Sequence, residues 1–208
     1  MLDYACGDGV VSRALQPRFA TIIGVDVSDS MLAKFRQTAA ALNLPPDAMV
    51  GVRGDLLGND DDDDTPTTDP PLPAAALRDF DLVVTSMALH HFADPPRALR
   101  RLAARLRPGG ALLVVDWAPL DGGTAAQRAY AEELGGRGET FATLAERAKV
   151  HAAAHTISKP NFSEREMAEL FGQAGCRDAR WRIADELSPI PPVDVKSQLF
   201  WAGALKSA

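Results

Sequence analysis

The opening residues hold the densest chemistry in the chain. Met1-Leu-Asp-Tyr-Ala-Cys-Gly-Asp-Gly9 reads as a strand ending in an acid, then a tight glycine turn into a helix begun by Val10 and Val11. Gly7 and Gly9 let the backbone come close to a ligand at the start of that helix. A second acid, Asp26, closes the apolar run Thr21-Ile-Ile-Gly-Val-Asp26. It follows Gly7 at close to the ~20-residue interval at which a carboxylate meets a ribose hydroxyl pair. Two carboxylates and a glycine turn at the carboxyl ends of adjacent strands make a nucleoside pocket. His90 and His91 come just after the apolar run Phe80–Ser86, at the same edge of the sheet, and either could take a proton from a bound substrate. His151 and His155 have the i, i+4 spacing of a metal pair, but no acid or cysteine stands near them in sequence, so no metal is expected.

The kind of nucleoside follows from what the turn lacks. A nicotinamide dinucleotide would need a third glycine where Ser12 stands, and Asp3 and Asp8 would face its phosphates. S-adenosylmethionine has no phosphate and carries a sulfonium and an ammonium. Acids beside the glycine turn favour it, with backbone N–H groups taking its carboxylate.

On these residues the chain resembles the class I S-adenosylmethionine-dependent methyltransferases, in particular the small-molecule group similar to the ubiquinone and menaquinone biosynthesis enzymes. Leu2–Gly9 looks like that family's first motif, with Ala5 in the first glycine place. Gly24-Val-Asp-Val-Ser28 is similar to the ribose-binding motif, Gly54-Asp-Leu56 to the adenine motif, Phe80–Phe92 to the fourth motif and its loop, and Leu106–Leu113 to the fifth. The resemblance implies that Asp3, Ala5 and Gly7 bind the methionine end and that Asp26 and Val27 hold the ribose. It implies that Met31 packs on the adenine, that Asp55 accepts from its amino group with Leu56 beside the ring, and that Thr85 lines the floor below the sulfonium. His91, ahead of His90, is the expected general base, and the acceptor is a small molecule methylated on O, N or C. Residues 124–160 fall where the family builds its acceptor pocket, with Tyr130, Phe141 and His151 as candidates. Only Met1 and Leu2 precede Asp3, where relatives have more of this strand and helices before it. The expectation is either a shortened product or a pocket open on one side. The alternative is a weak or inactive methyltransferase-like protein that binds or regulates a partner.

The elements that must position these groups alternate between strand and helix. A helix capped by Ser28 or Ser30 runs to about Leu42, with Leu32, Phe35, Ala39 and Leu42 at helical spacing, and Pro45-Pro46 stops it. Met49–Asp55 reads as a strand and 58–73 as a mobile acidic loop. A helix starting at Asp94-Pro-Pro puts Ala98, Leu99, Leu102 and Leu106 inward and stops at Pro108-Gly-Gly110, before the strand Ala111–Asp116. Ser163 and Glu166 form a capping box. Arg177–Leu187 and Val195–Lys206 pair as a terminal antiparallel ribbon. The pattern predicts one α/β domain over 1–208, a doubly wound, mostly parallel seven-stranded Rossmann-like sheet with that ribbon as its last strands.

Composition agrees. The chain has 208 residues, 46% hydrophobic and 24% charged, enough for one core. The net charge of −6 comes mostly from the run Asp60–Asp64. Nothing resembles a basic footprint for nucleic acid, and the arginines at 97, 100, 101, 105 and 107 read as the solvated face of a helix. No apolar run approaches the roughly 20 residues of a membrane span, no secretory leader is visible, and Cys6 and Cys176 read as reduced thiols in a cytoplasmic setting.

Overall fold

The computed structural model describes residues 1–58, 67–148, 154–190 and 195–208. Their strands form a single sheet in the order β4-β3-β2-β1-β5-β6-β8-β7. The strands are β1 Leu2–Tyr4, β2 Ile22–Asp26, β3 Met49–Asp55, β4 Thr67–Asp69, β5 Phe80–Ser86, β6 Leu106–Ala118, β7 Cys176–Pro189 and β8 Lys196–Lys206. β1, β2, β3, β5 and β6 run parallel; β8 lies antiparallel to both β6 and β7. The doubly wound sheet and its terminal ribbon are as the sequence predicts, but the described residues form eight strands, not seven. The extra one, β4, pairs antiparallel with β3 inside the stretch read as loop. Residues 59–66, with the acidic run, lie outside the described residues.

Both faces of the sheet are covered, which is why its strands read as apolar runs rather than alternations. On one face lie the helices α1 Val10–Leu15 and α2 Asp29–Ala41; Leu32 and Phe35 of α2 pack with Ile22, Met49 and Val84. On the other face Leu99 and Leu102 of α3 (Pro95–Ala103) pack with Leu2, Val25, Val83 and Val114. Met167 and Phe171 of α6 (Glu164–Gln173) join the same core. Ser28 caps α2 through the Met31 N–H, Asp94 caps α3 through that of Arg97, and Ser163 and Glu166 close the expected box on α6.

α3 ends sooner than its apolar spacing suggests. Phe80 N–H already donates to Arg105 O at 3.1 Å, so the chain enters the sheet there and Leu106 begins β6. Arg105 is 4% exposed and Arg107 belongs to β6, so neither stands on the solvated helix face. Between β6 and α6 come α4 Ala125–Gly135 and α5 Phe141–Ala148. Buried amides dock this pair on the ribbon. Gln127 Oε1 accepts N–H groups of residues 121–123, while its Nε2 donates to Gln198 Oε1 at 2.7 Å; Gln198 Nε2 donates to Ala184 O at 2.6 Å.

Candidate active site

The carboxyl ends of β1, β2 and β3 open onto a cleft of about 380 Å³, beside the point where the strand order reverses. Open α/β sheets place ligands there. Asp26 and Asp55, the last residues of β2 and β3, both line it. Backbone fixes each carboxylate. Asp26 Oδ2 accepts the Gly7 N–H at 2.9 Å and Oδ1 accepts that of Ser28 at 2.9 Å. Asp55 Oδ1 accepts the Leu57 N–H at 2.8 Å and the Tyr4 hydroxyl at 2.7 Å. A carboxylate offers about four lone-pair sites, so both retain acceptor capacity toward the cleft. Leu57 and Phe92 give it apolar wall, and Phe92 rests on the Tyr4 ring with centroids 5.8 Å apart. Burial and the bond to Asp55 push the Tyr4 hydroxyl pKa up, so it stays a donor.

The turn after β1 takes left-handed backbone at Ala5 (φ 56°) and Gly7 (φ 54°). The conformation costs an L-residue such as Ala5 roughly 1 kcal/mol and is free for glycine. A Cβ on Gly7 would meet nothing within 4 Å, whereas one on Gly9 would stand 2.9 Å from the Phe35 ring. Gly7 therefore serves the turn, and Gly9 makes room for α2.

His90 and His91 form a single 3-10 turn, Leu89–His91, after β5. His91 lines the cleft, with Nδ1 3.1 Å from the carbonyl and 3.0 Å from the hydroxyl of Thr156. Shielding of its ring, and then the neighbouring His90, hold its pKa below the ordinary value, which favours a neutral imidazole. His90 is 6% exposed and does not line the cleft; its Nδ1 lies 2.8 Å from Oδ1 of the buried Asp116.

Ala5, Asp26, Val27, Asp55 and His91 thus meet at one cleft, with Gly7 bonded to Asp26. Other expected residues stand elsewhere. Asp3 is 1% exposed, because Ser12 of α1 comes down on it and donates at 2.7 Å. Burial raises its pKa to about 7, so it is not the fixed anion the sequence suggested. Leu56 is 1% exposed in the core: β3 ends at Asp55, and the turn that follows sends Leu56 inward and Leu57 to the cleft. Thr85, in register with Tyr4 and Val114, is fully buried beneath the cleft lining, and its hydroxyl finds no partner among the described residues. Met31, in the first turn of α2, is 38% exposed and lines no part of the cleft. Tyr130 and Phe141 pack with Leu134, Leu144 and Val195 in a satellite cluster, not in the cleft. His151 lies outside the described residues, and so does any account of a pair with His155. Sequence reasoning missed Tyr4, Leu57, Phe92 and Asp116. Only Asp116 gave a signal, as an acid closing an apolar run in the manner of Asp26.

This is a Rossmann-like α/β architecture with a cleft carrying two carboxylates beside its topological switch. The sequence profile described as "Methyltransferase domain" matches residues 1–180, and the chain belongs to that family. An uncharacterised methyltransferase of Schizosaccharomyces pombe is 34% identical over 119 residues, 56% of this chain and 38% of that protein. The ubiquinone biosynthesis O-methyltransferase of Caulobacter sp. is 31% identical over 114 residues, 55% of this chain and 39% of that protein. The chain therefore matches less than half the length of either relative. The magnesium protoporphyrin IX methyltransferase of Synechocystis PCC 6803, solved with SAH bound, aligns over 99% of this chain and 73% of its own, with a TM-score of 0.57 and 17% identity. Among the described residues no helix is long and apolar enough to cross a membrane.

Proposed function

We propose that this chain is an S-adenosylmethionine-dependent methyltransferase acting on a small molecule. The observation that carries the reading is Asp26 and Asp55 on one cleft, at the tips of neighbouring strands, Asp26 held by two backbone N–H groups and Asp55 by one and the Tyr4 hydroxyl. The donor set fits the cofactor. Two fixed acceptors face a cleft within the usual volume range of about 300–1,000 Å³, with Leu57 and Phe92 as apolar wall for a base. Asp26 would accept from the ribose hydroxyls, and Asp55 from the adenine amino group. When bound, S-adenosylmethionine supplies an electrophilic methyl group whose leaving group is a neutral thioether. The chain's own share is to position the acceptor and exclude water. His91, neutral and facing the cleft, would take the proton of an acceptor hydroxyl or ammonium. The buried free thiols of Cys6 and Cys176 support a reducing, cytoplasmic setting.

Calorimetric titration with S-adenosylhomocysteine tests this. The chain should bind it, and Asp26→Ala should weaken binding roughly 10- to 100-fold, as loss of a charged hydrogen bond does. Because Asp26 also anchors the turn through Gly7, Asp26→Asn is the milder companion. No binding to the wild-type chain, or binding indifferent to both substitutions, overturns the reading.

A further inference from the structure

The turn carrying both histidines is held by groups that no motif singles out. Asp116, fully buried, meets three nitrogens, two of them backbone N–H donors. Its Oδ1 takes the Trp117 N–H at 2.8 Å and faces His90 Nδ1 at 2.8 Å, and its Oδ2 takes the His90 N–H at 3.2 Å. A carboxylate so placed can only accept, so the ring atom facing it must be N–H. His91 has a parallel arrangement. A bare Nδ1 would set its lone pair against the Thr156 carbonyl; an Nδ1–H satisfies it, and the Thr156 hydroxyl, which can accept, tolerates the same proton. The same segment clamps the main chain. Ser158 N–H and Lys159 N–H donate to His90 O at 2.9 and 3.2 Å, and Ser158 Oγ donates to His91 O at 3.2 Å. The two rings lie 4.0 Å apart at 43°, so the ring fixed by Asp116 also sets the surface on which His91 leans.

We propose that Asp116 and the Thr156 carbonyl are positioning groups that hold His90 and His91 as Nδ1–H tautomers, so that His91 presents the Nε2 lone pair to the acceptor. Which ring nitrogen of a histidine carries the proton is decided by the bond the other makes. In the proton step the X–H pair stays on the acceptor atom X and the proton goes to Nε2. His91 becomes an imidazolium whose Nδ1–H still rests on Thr156 O. The charged side chains lining the cleft around it are Asp26, Asp55, Asp94 and Arg97.

This rests on His91 being the base of the methyl-transfer reading, and the test separates the two. The full chain, labelled with 15N-histidine, has 4 histidines to assign. At about pH 8.5, well above the ordinary histidine pKa, long-range 1H–15N correlation spectra should show both His90 and His91 protonated on Nδ1. An Nε2–H tautomer at either position overturns the proposal, whatever the fate of any variant. Asp116→Ala removes the acceptor that Nδ1 faces, so His90 should lose its uniform Nδ1–H form and show Nε2–H; a folded variant whose His90 stays wholly Nδ1–H overturns the role of Asp116. Thr156→Val keeps the carbonyl, so His91 should stay Nδ1–H; a switch would assign the control to the hydroxyl and overturn that of the carbonyl. S-adenosylhomocysteine titration of the same samples is independent of tautomer. Binding with the wrong tautomers sinks this proposal alone; correct tautomers without binding sink the cofactor reading, and with it the role of His91 as base, while leaving Asp116 and the Thr156 carbonyl in control of the tautomers.

Discussion

Asp3 shows what one misplaced carboxyl can do to a stability curve. Burial raises its pKa from 3.8 to about 7, against the opposing pull of its bonds to Ser12. The folded chain therefore keeps a proton there that the unfolded chain releases, and this group's contribution to stability falls as pH rises from about 4 to about 7. Asp3→Asn removes that titration. Urea unfolding at pH 5 and pH 8 should show the wild-type protein losing more stability across the interval than the variant, by on the order of 2 kcal/mol; equal losses would place Asp3 in an ionised state throughout. Residue types were legible where the chain pattern sets a strand tip, as at Asp26 and Asp55. They were not legible where a turn decides which way a side chain goes. Leu56 and Leu57 are the same residue type at adjacent positions, and only the path of the chain after β3 sends one inward and one to the cleft. The partnership of Asp116 with His90 spans 26 residues and depends on two strand tips meeting.

Among elements, α2 meets the sheet through a slot cut for one ring. Gly9, Gly24 and Gly51 come from the first turn, β2 and β3, and a Cβ on any of them would strike Phe35, at 2.9, 2.5 and 2.9 Å. Gly24→Ala should cost about 1–3 kcal/mol, as overpacking does. Phe35→Leu in the same chain should recover part of that cost, because the two sites touch. Denaturant midpoints for both single variants and the double variant measure it, and simple additivity would show that the slot does not act as described. The periodicity of Leu32, Phe35 and Ala39 made the helix readable, but its matching glycines are scattered from Gly9 to Gly51: Gly24 and Gly51 looked like ordinary strand residues, and Gly9 read as part of a ligand-binding turn. β4 was unreadable for another reason: three residues beside an acidic run carry no alternation, and only the edge of β3 makes a strand of them.

The described residues divide into two large cores, one on each face of the sheet, and a small satellite under α4 and α5 built on Tyr130, Leu134, Leu144 and Val195. Regions with few buried apolar contacts open at lower free energy than the centre. Native-state hydrogen exchange should find the amides of α4 and α5 exchanging faster than those of β5 and β6, and equal protection would join them to one cooperative unit. The doubly wound architecture was legible because both faces of its sheet are apolar and the helices between strands keep their period. The docking of the satellite was not, since it hangs on Gln127 and Gln198, two polar residues whose burial nothing in their neighbours announces.

Tyr4 reaches from the central strand to Asp55 on the next strand but one, while Gly7 ties to Asp26 on the strand between. Three strand tips are thus sewn together by the chain's own groups. A ligand held by Asp26 and Asp55 would meet two acceptors whose spacing is already set, so its fit to that spacing would govern affinity.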